Sequence, residues 1–536
     1  MPTLNWIGKA EVINHHLQVP FLLLRDVPAL ACGGPDGGNL IVEGDNLPAL
    51  KALLPYYAGQ VKCIYIDPPY NTGNERWVYN DNVNSPLIRE WLGKAVGKEG
   101  ETLDRHDRWL CMMYPRLALL RQFLREDGAI FISLDDNEVQ ALRYLMDELF
   151  GSYNFVANII RQKKYARQND SRLFSTSHDY IVAYAKSAAT FRPNRISRTD
   201  EQVKGYKNLD GDPRGPWQSV IYTCGKTREE RPNLYYPIKN PHTGELIYPE
   251  ETRVWGCDAK ATERNVAENR IWWGLKGELK KPRKKVFLSE VGGGVVPDTI
   301  WLRTDVGDNQ DARREILEVF SKPDFQTPKP VKLLEHIIQV ATNPGDLILD
   351  SFAGSGTTAH AVLKLNQASP DKEPRRFILV EMEPNIARTV TAERVRRVAE
   401  GYTNAKGERV EGLGGGFRFR ESGEPLFDEG GKIRDTVTFP ELARHVYFTE
   451  TGEPLLREAA PDSPFVGACR GLGVYLLYKG VLRDENADGG NLLTRSTLVE
   501  LPPFDGQRVV YCAGSLLSPE RLQSERIVVR RIPYRT

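Results

Sequence analysis

Cysteine is scarce in this 536-residue chain: seven residues, with no Cys-x-x-Cys pair. That argues against a disulfide framework or a thiolate zinc site and fits reduced thiols in a cytoplasm. Long apolar runs are missing too, so no membrane-spanning helix is expected. The start, MPTLNWIGKAEVINHH, lacks the basic-then-apolar order of a signal peptide. None of the eight histidines has metal-ligand spacing, and His178 and His336 read as structural. There is no internal repeat, no long low-complexity run and no Walker-type Gly-Lys-Ser/Thr loop. Net charge is nearly absent, at +1.

What is there is unevenly placed. Residues 151–290 carry 26 Lys and Arg against 16 Asp and Glu, so the rest of the chain is acidic. A basic middle in an acidic protein is the expected footprint of one polyanion-binding region, with a solvated lysine-rich surface as the alternative. Hydrophobic residues make up 40% and charged residues 27%, ordinary values for a globular protein. A chain this long is expected to hold about two to four domains.

Residues 1–37 read as an irregular N-terminal extension ending in CGGPDGG. NLIVE then reads as a strand, GDNLPALKALL as a turn and helix, and VKCIYI as a strand apolar enough to be covered on both faces. RHDRWLCMMYPRLALLRQFLRED has helical periodicity and feeds AIFISL, another buried strand. DNEVQALRYLMDELFG reads as a capped helix stopping at Gly151, and HDYIVAYAK as a further strand. This alternation predicts an α/β fold with a Rossmann-like, doubly wound parallel sheet. The rhythm breaks over 187–321, where Pro, Gly, Lys and Arg mix with five of the nine tryptophans, most of them expected in a core. It resumes at TPKPVKLLEHIIQVAT. Residues 401–420 read as a Gly-rich linker and 421–536 as a small C-terminal α+β domain.

Two stretches carry chemistry. In CIYIDPPYNTGN (63–74) a buried strand runs into Asp67, two prolines and Tyr70, a rigid ledge rich in acceptors, followed by a polar loop. In LILDSFAGSGTTAHAV (347–362) a second strand ends in Asp350 and a Gly354-Ser355-Gly356 turn opens a helix. That turn lets a ligand approach the backbone closely. Gly354-x-Gly356-x-x-Ala359, with Glu381 ending the next strand, also fits a dinucleotide fingerprint, and a plain structural turn is a third reading.

Together with NLIVEGDNLPALKAL, MMYPRLALLRQFLREDGAIFISLDDNE, FQTPKPVKLLEHIIQVATNPGD and RRFILVEMEPNIA, these stretches resemble β-class adenine-N6 DNA methyltransferases. The resemblance is strongest to the modification subunits of type III restriction systems. It covers most of residues 1–400 and is looser in the middle and the tail. In that family the catalytic motif precedes the cofactor motif, with target recognition between them. Here it implies one methyltransferase sheet built from 38–186 and 322–400, a DNA target-recognition domain at 187–321, and a partner-docking or capping role for 421–536.

The resemblance also implies the chemistry. S-adenosylmethionine would be the methyl donor. Asp67 and the Pro68 carbonyl would accept from the amino group of a flipped-out adenine, Pro69 would stiffen the ledge, and Tyr70 would stack on the base. Gly354, Gly356, Asp350, Thr327 and Lys329 would hold the methionine end, Glu381 the ribose, and Phe352 would wall the donor. Asp45 is expected at the cofactor adenine, or as a helix cap. An Asp at position 67, not Ser or Asn, favours adenine N6. Lys163 and Lys164 in RQKKYAR, and Lys280, Lys281, Arg283, Lys284 and Lys285 in KKPRKK, are expected on DNA phosphates or on a solvated face. A homodimer and a partner restriction subunit with helicase and nuclease activity are implied. The competing readings are a DNA-binding specificity subunit with little catalysis, and a nicotinamide-dependent dehydrogenase. The second would leave Asp67 and the basic insert without a role.

Overall fold

The computed structural model describes residues 4–34, 38–72, 101–166, 173–198, 200–320, 325, 327–460, 463–478 and 491–532, with backbone alone at 101–105 and 201. Residues 73–82 of the polar loop expected after Tyr70 lie outside the described residues, as does Arg167 of the first basic run. The chain forms two compact units, Met1–Arg192 with Asp298–Thr536, and Pro193–Pro297.

The first unit is built on strands β1 (Leu22–Asp26), β2 (Leu40–Glu43), β3 (Val61–Ile66), β4 (Leu124–Leu134), β5 (Phe155–Gln162), β6 (His178–Ala185), β7 (Ile300–Trp301), β8 (Leu347–Asp350), β9 (Arg376–Glu381) and β10 (Arg418–Pro425). They form one sheet in the order β1-β10-β2-β9-β8-β3-β4-β6-β5-β7. Neighbours from β10 through β4 are parallel. The expected doubly wound sheet has this parallel centre and carries antiparallel strands outside it: β6 runs against both β4 and β5, and β1 against β10, pairings that require no crossover helix.

Alternation along the strands makes two cores. Val42, Ile64, Ile130 and Leu349 point into one, closed by α1 (Asn46–Tyr57), α2 (Glu101–Phe123) and α3 (Val139–Phe150). Ile41, Cys63, Phe131 and Ile348 point into the other, closed by α4 (Asn309–Val319), α5 (Val331–Ala341), α6 (Thr357–Gln367) and α7 (Glu393–Glu400). The helices of the first chain segment therefore cover one face, and those of the second cover the other.

Three expected boundaries shift, each because apolar side chains find the main core. Trp6 and Val12 are buried in the first core and β1 joins the sheet, so the described residues of 1–37 are not an irregular extension. Val306, Ile316 and Val319 are buried in the second core, so residues 298–319 belong to the main unit and not to the insert. Phe417 and Phe419 are buried there too, and Arg418–Pro425 is a strand, so 401–420 is no free linker. The C-terminal region forms its own four-stranded sheet from Phe465–Cys469, Leu472–Leu476, Gln507–Cys512 and Ile527–Arg531.

In the second unit, Ile271–Trp272, Arg283–Phe287 and Trp217–Ile221 form an antiparallel sheet, and Tyr222, Trp255, Ile271 and Trp273 form a small core. The KKPRKK run lies on and before the central strand, and strand alternation splits it. Lys280 and Lys281 stay exposed, Lys281 paired with Glu250. Arg283 bonds Ser219 and Lys284 is half-buried. Lys285 is buried, ion-paired with Asp210 and seated against Trp217 and Trp272. Its expected place on a phosphate is corrected: it is part of the unit's interior.

Candidate active site

The site follows from strand register. β3 and β8 are neighbours, with Leu349 opposite Ile64, and β9 flanks β8 with Leu379 opposite Asp350. The turns after Ile66, Asp350 and Glu381 therefore leave the same edge of the sheet. They do so where strand order jumps between the two chain segments, the position at which open α/β sheets form a crevice. A cavity of about 610 Å³ lies there. It is lined by Asp67, Pro68, Pro69 and Tyr70 on one side, and by Thr327, Lys329, Asp350, Phe352, Gly354 and Glu381 on the other. Lys163 and Lys164 complete its wall.

At the Asp67 end, Lys329 pairs with the carboxylate through Oδ2. Oδ1 is buried and has no hydrogen-bond partner among the described residues. The Lys329 ammonium also lies 5.0 Å from the centre of the Tyr70 ring. Burial, then the Asp67 charge, pushes the Tyr70 hydroxyl well above its ordinary range, so it stays protonated. The ledge is braced from behind. Trp109 on α2 donates its indole N–H to the Pro69 carbonyl at 2.8 Å. Asn71, held at φ 57, donates to the buried Glu138, which is also 2.5 Å from His106 Nδ1.

At the glycine end, Gly354 and Gly356 have φ of 50 and 75. A Cβ on Gly354 would stand 2.9 Å from the Phe325 ring. The Gly354 N–H donates to Glu381 at 2.8 Å, and Thr391 donates to the Gly354 carbonyl at 2.6 Å. Arg394, fully buried on α7, donates to Ser355 Oγ and Thr357 Oγ1 at 2.9 Å each, and burial lowers its pKa to about 10. Asp350 accepts from Thr358 at 2.5 Å and from the Phe352 N–H at 3.0 Å. Burial outweighs these bonds, and its pKa rises to about 7. Glu381 also rises to about 7, with burial again the largest cause.

Asp45 does not line the cavity. It caps α1, accepting from the Leu47 N–H at 2.9 Å and pairing with the buried Arg116 at 2.9 Å. The helix-cap alternative is what the fold uses, because the first turn of α1 leaves donors that Asp45 satisfies. Trp109, Thr391 and Arg394 carry no local sequence signal for the site, and Glu138 and Phe325 lie within the stretches MMYPRLALLRQFLREDGAIFISLDDNE and FQTPKPVKLLEHIIQVATNPGD without being singled out. Each meets it from a distant element, and only the folded chain brings them in.

A DNA methylase family profile (N6/N4 methyltransferases) matches residues 61–393. The type III restriction-modification enzyme StyLTI Mod subunit of Salmonella typhimurium strain LT2 is 36% identical over 365 residues, 66% of this chain and 54% of that protein. The EcoPI Mod subunit of Escherichia phage P1 is 31% identical over 73% of this chain and 65% of that protein. The type II methyltransferase M.KpnI of Klebsiella pneumoniae is 31% identical over 69% of this chain and 90% of that protein. The match thus spans less than two thirds of either Mod subunit. Among the described residues no helix is long and apolar enough to cross a membrane.

Proposed function

Because this chain belongs to the DNA methylase family, we propose that it moves a methyl group from S-adenosylmethionine to N6 of a flipped-out adenine at a specific site in duplex DNA. The observation that carries this is the shared cavity. Asp67, whose Oδ1 has no hydrogen-bond partner among the described residues, and the turn at Gly354 line it together, although 287 residues separate Asp67 from Gly354.

The residues fit the donor. Asp67, Asp350 and Glu381 make the cavity acidic, which suits a sulfonium and an ammonium. The missing Cβ at Gly354 leaves room beside Phe325. S-adenosylmethionine supplies an electrophilic methyl group. Asp350 would hold the donor's amino group and Glu381 its ribose hydroxyls. Thr327 and Lys329 would lie on the carboxylate side, and Phe352 would face the sulfonium, a contact worth about 0.5–2 kcal/mol.

The adenine amino group is a weak nucleophile because its lone pair is delocalised into the ring. Asp67 Oδ1 and the Pro68 carbonyl would each accept one of its N–H bonds, which favours a tetrahedral nitrogen and aims the lone pair at the methyl group. The Trp109 bond to Pro69 and the two proline rings keep that carbonyl from turning away. Tyr70 offers a stacking face, returning about 1–3 kcal/mol toward the cost of extruding the base. Asp67 can take the proton that the methylated nitrogen sheds.

The unit Pro193–Pro297 is the DNA-reading domain in this proposal, and the protein works as a homodimer serving a restriction subunit with helicase and nuclease activity. A second reading, a methyltransferase acting alone, is favoured by the 90% coverage of M.KpnI. Expression in a host without adenine methylation, followed by methylation-aware sequencing, tests the activity. N6-methyladenine confined to one short sequence motif is expected, and unmodified DNA from cells containing the folded protein would refute the proposal. Co-purification from the native operon separates the two assemblies.

A further inference from the structure

Lys163 was expected on DNA phosphates, yet it stands in the wall of the cavity that holds Asp67 and Tyr70. Its side chain is only 16% exposed, and its ammonium lies 2.5 Å from Asp179, whose side chain is 6% exposed. Its main chain is held on both sides: its N–H donates to the Ser177 carbonyl at 2.8 Å, and its carbonyl accepts from the Asn309 N–H at 3.1 Å. Two residues earlier, the buried Arg161 donates to the Gly307 carbonyl and to Asn309 Oδ1, both at 3.3 Å, and lies 3.8 Å from Asp179. A lysine that serves the phosphate backbone keeps a solvated head on a mobile stem. This one is pinned at its backbone and at its tip. Asp179 takes one of its three donors, and the ammonium has no other hydrogen-bond partner among the described residues.

Resting on the adenine-N6 reading above, we propose that Lys163, aligned by Asp179, donates a hydrogen bond to a ring-nitrogen acceptor beside the amino group of the extruded base, and so selects adenine. The adenine amino group is flanked by N1 and N7, both acceptors. Guanine and thymine present a carbonyl in place of the amino group that Asp67 and the Pro68 carbonyl would read; a contact at N1 would in addition meet their ring N–H donor to donor, and a contact at N7 would reject cytosine, which has an amino group but no N7. Lys163 is thus a base-reading residue, and Asp179 is a positioning residue that keeps it from swinging to the phosphates.

The test pairs the protein with altered substrates. Duplexes carrying the target site with 1-deazaadenine or 7-deazaadenine at the methylated position are compared with adenine, using the wild type, Lys163→Met and Lys163→Arg. One of the two analogues should lower the wild-type kcat/KM about 10- to 100-fold, the loss expected for a charged hydrogen bond. The Met variant should show a similar loss with adenine, no further loss with that analogue, and a KM for S-adenosylmethionine within about twofold of wild type. The Arg variant should restore part of the activity. Asp179→Asn should lower kcat/KM while retaining part of the analogue sensitivity. Full wild-type activity on both analogues, or losses from variant and analogue that simply add, would overturn the assignment. So would a defect confined to the cofactor KM. Failure of the wild type to methylate ordinary adenine is a different result, and it would remove the underlying reading.

Discussion

The two ends of the cavity are written in the same way and behave differently. Each is an apolar buried strand, an acid and a tight turn: VKCIYI-Asp67-Pro-Pro at one end, LIL-Asp350-Ser-Phe-Ala-Gly at the other. Asp67 lies one residue beyond its strand, paired with a lysine and with one oxygen that has no partner among the described residues. Asp350 is the last residue of its strand, buried and tied to Thr358 and the Phe352 N–H, with a pKa near 7. By register Asp350 stands opposite Tyr65, so Asp67 lies two residues farther out, and that step separates an acceptor suited to reacting groups from a titratable anchor suited to binding. If that is right, changes at the Asp67 end should act on turnover and changes at the glycine end on cofactor affinity.

Asp67→Ala is expected to have the largest effect. Single-turnover methyl transfer should fall about 1000-fold, as when a preorganised group at the reacting atom is lost. Cofactor binding by calorimetry should stay within about threefold. A parallel collapse of binding would erase the distinction between the two ends.

Gly354→Ala should do the reverse. The new methyl group would meet the Phe325 ring at 2.9 Å in a backbone conformation that L residues rarely adopt. Cofactor affinity should weaken more than tenfold, with turnover at saturating cofactor largely kept.

The pH dependence should also sit at the glycine end. Asp350 and Glu381 are largely protonated below about pH 7 in the free protein. A cationic ligand favours their ionised forms, so its affinity should rise about tenfold from pH 6 to 7 and level off above. Asp350→Asn should flatten the curve. The stability of the free protein should follow the opposite trend. With folded pKa values above the unfolded ones, the unfolded chain binds fewer protons between about pH 4 and 7, so these two groups lower stability as pH rises through that window.

Trp109→Phe should have the smallest effect of the four. It frees the Pro69 carbonyl and should lower kcat about three- to tenfold, the worth of one neutral hydrogen bond, without changing cofactor affinity.

Local pattern revealed Asp67–Tyr70 and the Gly354–Gly356 turn because each needs special chemistry at fixed spacing: prolines to freeze a carbonyl, glycines to hold positive φ. Charge runs were far less legible. RQKKYAR and KKPRKK have similar composition, yet Lys163 ends in the cavity wall and Lys285 inside a tryptophan cage. A run states how much charge is present. Strand alternation and distant acids such as Asp179 and Asp210 decide which charge is buried, and those acids lie 16 and 75 residues from their lysines. Asp45 stays open between two readings for a similar reason, since an acid before a helix serves equally as a cap or as a ligand contact until its neighbours are known; here the cap is realised.

By itself, the sequence determined that strands and helices alternate, that two acid-ended strands flank a basic aromatic insert, and that their turns are rigid in one case and glycine-rich in the other. These are properties of short stretches, set by backbone sterics and side-chain periodicity. Only the tertiary structure decided that β3 and β8 are neighbours in matching register, that their acids line one cavity, that Lys163 joins its wall, and that Trp109 and Arg394 brace its two turns. Those outcomes depend on which apolar faces bury together across hundreds of residues, a balance that no local pattern encodes.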